Sequence, residues 1–141
     1  MSNSTANVRA ILRYPQPGGG ICQPPIEAIL ALYAGSNVAE IDVPDLEAAI
    51  TKHAVPFGDI SEASMVMIQN LTGQDLDVIV NDTGADIADH SIPIGGLWLC
   101  GGPVPAVATF PMTRIDLVTT AEQAGAGRIN CWVFGDPEVT P

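Results

Sequence analysis

Basic residues are scarce in this sequence, five lysines and arginines against sixteen acids, and that shortage argues against nucleic acid as a partner. A phosphate-binding surface needs a stripe of cations, whereas a net charge of −11 repels the polyanion. Cysteine is scarce as well. Cys22, Cys100 and Cys131 are odd in number, widely spaced and without a C-x-x-C pair, which excludes a disulfide framework and a zinc ribbon. Cys100 and Cys131 lie in apolar runs, where a free thiol packs as a small hydrophobe. No apolar run approaches the roughly 20 residues that cross a bilayer. The longest, Ala28 to Ala34, is bracketed by Pro25, Glu27, Gly35 and Asn37, so no membrane partner is expected. Met1-Ser2-Asn3-Ser4-Thr5 lacks the charged-then-apolar order of a secretory signal, so folding in the cytoplasm of the producing cell is expected.

Catalytic patterns are missing in the same way. His53 and His90 are the two histidines, and neither belongs to H-x-H, H-E-x-x-H or H-x-x-E-H. G-x-S-x-G and G-K-[ST] are absent, and Gly18-Gly19-Gly20 and Gly95-Gly96 form neither a P-loop nor a dinucleotide fingerprint. Asp59, Glu62, Asp75 and Asp77 offer carboxylates, but spacing alone selects no glycosidase pair among so many acids. One cluster has ligand chemistry: Asp82, Asp86, Asp89 and His90, with Asn81 beside them, could present oxygens to calcium or, in a cupin-like barrel, His90 to a transition metal. The spacing fits no EF-hand and a cupin needs several histidines near one strand, so a solvated acidic loop is expected. Trp98 and Trp132 lie in strand-like runs, where core or interface packing is commoner than sugar stacking. No catalytic residue, metal or cofactor is therefore expected, and the chain reads as a building block rather than an enzyme.

What the sequence does hold is apolar side chain, 47% of its 141 residues, enough for one core and one domain. Its charge is unevenly placed. Residues 1–25 contain Arg9, Arg13 and no acid, so all sixteen acids fall in residues 26–141. The Pro and Gly density of 15–25 suits neither helix nor central strand, and residues 1–25 read as an extended N-terminal arm before a β-sandwich domain over 26–141, the alternative being a short edge strand plus a loop within the same domain. Within the arm Arg9, Ile11, Leu12, Arg13 and Tyr14 are the expected partner-binding residues, apolar and cationic together.

Strand signals then recur about every ten residues. Glu27 to Tyr33 is an apolar run of strand length, and Val38 to Val43 alternates Glu40 and Asp42 against Ala39, Ile41 and Val43. Pro44 to His53 predicts a short helix near 44–53, with Leu46, Ala49, Ile50 and His53 on one face. Met65 to Gln69 and Leu76 to Asn81 predict an antiparallel hairpin about the turn 70–75. Leu97 to Cys100, Ala106 to Phe110, Thr113 to Thr119 and Arg128 to Phe134 complete a mainly β chain of about eight strands, suited to an antiparallel sandwich of jelly-roll type.

Met65-Val66-Met67-Ile68-Gln69-Asn70-Leu71-Thr72-Gly73-Gln74-Asp75-Leu76-Asp77-Val78, followed by Ile92-Pro93-Ile94-Gly95-Gly96-Leu97-Trp98-Leu99 and ending in Val133-Phe134-Gly135-Asp136, resembles the body of small β-sandwich virion proteins of tailed bacteriophages. Capsid decoration, or cement, proteins are the most similar of these in size and layout. The resemblance spans about residues 60 to 136 and rests on strand-and-turn motifs. It implies a homotrimer on the virion surface that binds the major capsid protein between subunits and reinforces the shell. A carbohydrate- or receptor-binding module of a tail fibre or head spike is the alternative expectation.

Overall fold

The structure, a computed structural model, describes residues 4–10, 26–33, 35–101 and 112–137. Among them ten strands form: β1 (Ser4–Ala10), β2 (Ile26–Tyr33), β3 (Gly35–Val43), β4 (Lys52–Ala54), β5 (Ile60–Leu71), β6 (Leu76–Val80), β7 (His90–Ile92), β8 (Leu97–Gly101), β9 (Ile115–Thr119) and β10 (Gly127–Pro137). β1 and β2 pair antiparallel as a two-stranded sheet with a bulge between Ala6 and Asn7. The other eight make two antiparallel sheets of four, β3-β10-β5-β8 and β4-β9-β6-β7.

Alternation sets which face each strand buries. In β3 Ser36, Val38, Glu40 and Asp42 are exposed while Ala39, Ile41 and Val43 turn inward, because successive strand side chains point to opposite faces. The same rule sends Val66 and Ile68 of β5, Leu76 and Val78 of β6, Ile115 and Leu117 of β9, and Ile129, Cys131 and Val133 of β10 into one shared core. Each such aliphatic side chain, fully buried, contributes about 1.5–3 kcal/mol, so the facing of the two sheets is the main stabilising contact. Of the links between successive strands from β3 to β10, only that from β6 to β7 stays within one sheet.

Two sequence expectations are corrected. Residues 44–51 form turns, not a helix. Leu46 and Ile50 take positive φ, 65° and 62°, and the amides there bond across the molecule, Leu46 N to Gln123 O at 2.8 Å and Ile50 N to Thr119 O at 2.8 Å. Docking onto the 119–123 bend replaces the i to i−4 ladder of a helix, and 52–54 joins the second sheet as β4. The hairpin expected from 65 to 81 does not form either. β5 pairs with β10 and β8, and β6 with β9 and β7, so the chain passes between sheets at residues 72–75. Asn70 makes that corner: its buried amide donates to the carbonyls of Gln74, Ile92 and Pro93 at 2.7, 3.1 and 3.2 Å, and its Oδ1 accepts from Thr72 N and Oγ1 at 3.0 and 2.7 Å. The strand expected at Ala106 to Phe110 lies outside the described residues.

Candidate functional site

Two outer faces of the sandwich bear on function. On the first sheet the register aligns Val38 of β3, Trp132 of β10, Met67 of β5 and Leu99 of β8 in one cross-strand row. All four side chains are apolar and point away from the core. Val38 is 67% exposed and Leu99 37%, with Trp132 and Met67 half-buried between them. The next row adds the half-buried Phe134 beside a buried Met65, and Leu97, 60% exposed, stands on the opposite flank beyond Gln69 and Asn130. Glu40, Asp42 and Arg128 rim the patch along the β3 side. A contiguous exposed apolar band with a polar rim is the surface chemistry of a protein contact.

On the second sheet the outer row runs Lys52, Val118, Asp77 across β4, β9 and β6, and the row beside it runs Ala54, Asp116, Ile79. The 82–89 loop rises beside this face. Lys52 Nζ reaches into that loop and bonds Asp82 Oδ2 at 3.0 Å and Asp86 Oδ1. The Asp82 carboxyl is held down to about 2 from its ordinary 3.8 by the Gly84 amide and then by Lys52, and the Lys52 ammonium is correspondingly raised, Asp86 being the larger cause and Asp82 the next. Asp116, itself fully buried, is paired in two places with Arg114, Nε to Oδ2 at 2.8 Å and Nη2 to Oδ1 at 3.2 Å. A cleft of about 410 Å³ opens between Ile79, Val118, Ile50 and Ala88, with Asp77, Asp86 and Lys52 at its edge.

The acidic loop singled out in the sequence therefore divides. Asp82 and Asp86 converge on a lysine ammonium, Asp89 turns away to accept the Val80 amide at 2.8 Å, and Asn81 Oδ1 accepts from Thr113 and Arg114 amides at 2.8 and 3.2 Å. Among the described residues no three His, Cys, Asp or Glu side chains are grouped to hold a metal. His90 instead lies 5.7 Å, ring to ring, from Trp98, which packs against the core. His53 Nε2 and Glu47 Oε1 stand 2.6 Å apart where the 44–51 turns meet β4.

Trp132, not Trp98, is the tryptophan that faces outward, one strand step being enough to exchange the two environments. The four-residue apolar row escaped the sequence reading because its members come from four strands spread over residues 38–132. Of the expected arm residues, Arg9 falls in β1, opposite Glu27 in the register. Ile11, Leu12, Arg13 and Tyr14 lie outside the described residues. No known family model matches the chain, and no curated protein matches it in sequence.

Proposed function

We propose that this protein is a structural subunit of a virion, a capsid decoration protein that binds between major capsid subunits at the shell surface, as a homotrimer, and stabilises the head. The apolar outer row Val38, Trp132, Met67 and Leu99 carries this reading, since a solvent-facing band of that composition gains most by being covered by another protein. The strand orders support a jelly roll beneath it: two sheets of four with six of seven links crossing between them fit the pair of Greek keys that defines that fold, which serves viral capsid and lectin domains. A basic, apolar arm with Arg9, Ile11, Leu12, Arg13 and Tyr14 adds a second contact, and linked contacts multiply weak affinities.

Co-sedimentation with purified shells tests it. The intact chain pellets with shells and raises their heat resistance, Trp132→Ser weakens attachment by about tenfold or more, and deletion of residues 1–25 leaves a folded body that attaches poorly. Shells that bind none of the chain, or that resist heat equally without it, end the reading. A carbohydrate- or receptor-binding module is the second reading, favoured by the half-open Trp132 indole. Polar Gln69, Asn130 and Glu40 stand in the next row, but the four-strand apolar width of Val38, Trp132, Met67 and Leu99 exceeds what one sugar ring covers, which weighs for a protein partner. A glycan array carrying no binder would remove it.

A further inference from the structure

We propose that the cleft on the outer face of the second sheet receives an arginine side chain, Arg13, from a second copy of this chain. The pairing presupposes the self-assembling subunit just described, and it concerns the face opposite the apolar row.

Three features of the cleft stand unexplained by the single chain. Asp77 is half-buried at its edge and has no side-chain hydrogen-bond or ion-pair partner among the described residues, whereas Asp82, Asp86 and Asp116 are all paired. Lys52 lies two strands away from it, across Val118, with its ammonium drawn off to the 82–89 loop. Counting Asp77, Asp82 and Asp86 against Lys52 leaves the site short of positive charge. The third feature is Ile50, a β-branched residue at φ 62° whose side chain is 81% exposed. A β-branched residue in that region is strained, and here the side chain borders the cleft while burying almost nothing. Thr119 pins it there, accepting Ile50 N at its carbonyl and Thr51 N at its hydroxyl, 2.8 and 3.0 Å.

An apolar floor of Ile79 and Val118, an apolar wall at Ile50 and a free carboxylate at the edge match a side chain with a long hydrocarbon stem and a cationic head. Arginine suits it better than lysine, because its planar guanidinium pairs a carboxylate through two parallel hydrogen bonds. The chain itself supplies such a group. Residues 1–25 hold two arginines and no acid, and Arg13 follows Ile11 and Leu12, so the cation comes with apolar neighbours. Arg9 stands opposite Glu27 in the β1–β2 register, Arg114 is committed to Asp116, and Arg128 stands opposite Asp42 on the first sheet. Arg13 docking in a neighbour also sets a basic segment against an acidic body, which lowers the repulsion between copies that each carry −11.

Sedimentation velocity of the full chain, over concentration and salt, tests the pairing without any shell present. The wild type associates, more weakly as salt rises. Asp77→Arg and Arg13→Asp each weaken association by about tenfold, the loss expected for one charge-assisted pair, and the double variant Asp77→Arg with Arg13→Asp regains it. Ile50→Gly weakens association while its melting temperature holds or rises, separating the cleft wall from folding. A wild type that stays monomeric, as it would if its own Arg13 filled the cleft, overturns the inference, and so do single variants that associate normally or a charge-swapped double variant that does not recover. Variants that lose association yet still bind shells sink the decoration trimer but not this pairing; variants that associate normally sink this pairing alone.

Discussion

Asn70 has no solvent exposure and its side chain makes five hydrogen bonds, each of which holds the chain at the corner between the sheets. Gln74 and Gln123 extend the same buried network, Gln74 Nε2 donating to Gln123 Oε1 at 2.6 Å and Gln123 Nε2 to the Thr72 carbonyl. Asn70→Ala takes the acceptor from the Thr72 amide and a donor from the Ile92 carbonyl, while Gly96 N and Thr72 Oγ1 still reach the carbonyls of Pro93 and Gln74 at 2.8 and 3.1 Å, so chemical denaturation is expected to show a loss of about 2 kcal/mol or more. Asn70→Asp should cost more still, because it turns a carboxylate oxygen toward those carbonyls. Gly135 matters for space. A Cβ there would run into the Glu62 carbonyl and lie 2.7 Å from the Ala63 Cα, at the point where β10 bulges against β5. Both obstacles are backbone, so Gly135→Ala is expected to destabilise by about 2 kcal/mol or more, read in the same denaturation experiment. Burial pushes the Cys131 thiol up to about 12. Since the thiolate is the nucleophile, Cys131 is expected to resist a maleimide at pH 8 in the native protein and to label fully on unfolding, which mass spectrometry of the labelled peptides checks.

Among the elements, Val38 to Val43 and Arg128 to Phe134 were legible as the central parts of β3 and β10, because each strand is half-buried and alternates. The segment 44–51 was not. Leu46, Ala49, Ile50 and His53 do fall at helical spacing, yet Leu46 and Ile50 end up 69% and 81% exposed, on turns whose amides find partners at Gln123 and Thr119. Tertiary hydrogen bonding overrode a periodicity that in so short a stretch had little energy behind it. The same geometry yields an expectation. Glycine accepts positive φ at no steric cost, so Leu46→Gly and Ile50→Gly together are expected to raise the melting temperature by a few degrees, as about 1 kcal/mol does in a domain of this size. A true helix there would lose stability to the same two changes, and differential scanning calorimetry distinguishes the cases. β4 escaped notice for a related reason: its three residues acquire strand character only through Val118, Leu117 and Asp116 of a strand more than sixty residues away.

At the scale of the molecule the class of fold was readable and the pairing was not. Met65 to Gln69 and Leu76 to Asn81 have the composition and spacing of a hairpin, and nothing local says that β5 belongs with β10 while β6 belongs with β9. The site followed suit. The acidic loop stood out as a cluster, but its cation, Lys52, lies thirty residues from Asp82 and joins it only when β4 enters the sheet. Asp82, held by the Gly84 amide and then by that lysine, gives an acid-sensitivity with a definite sign. The folded Asp82 carboxyl sits near 2 and the unfolded one at its ordinary 3.8, so the contribution is complete above about pH 4 and is lost as pH falls toward 2. Lys52→Met should therefore lessen the pH dependence of stability between 4 and 2 without abolishing it, since the Gly84 amide still holds Asp82 down, as urea midpoints across that range would report. The sheet order has one more consequence, for how the protein is made. β10 lies between β3 and β5, yet among the described strands it is the last synthesised. Until it emerges from the ribosome, β3 has no neighbour in its sheet and the inner edge of β5 is bare. Folding must then wait on distant pairings, which places this chain among the slow, milliseconds-to-seconds folders and leaves strand edges uncovered while it is made.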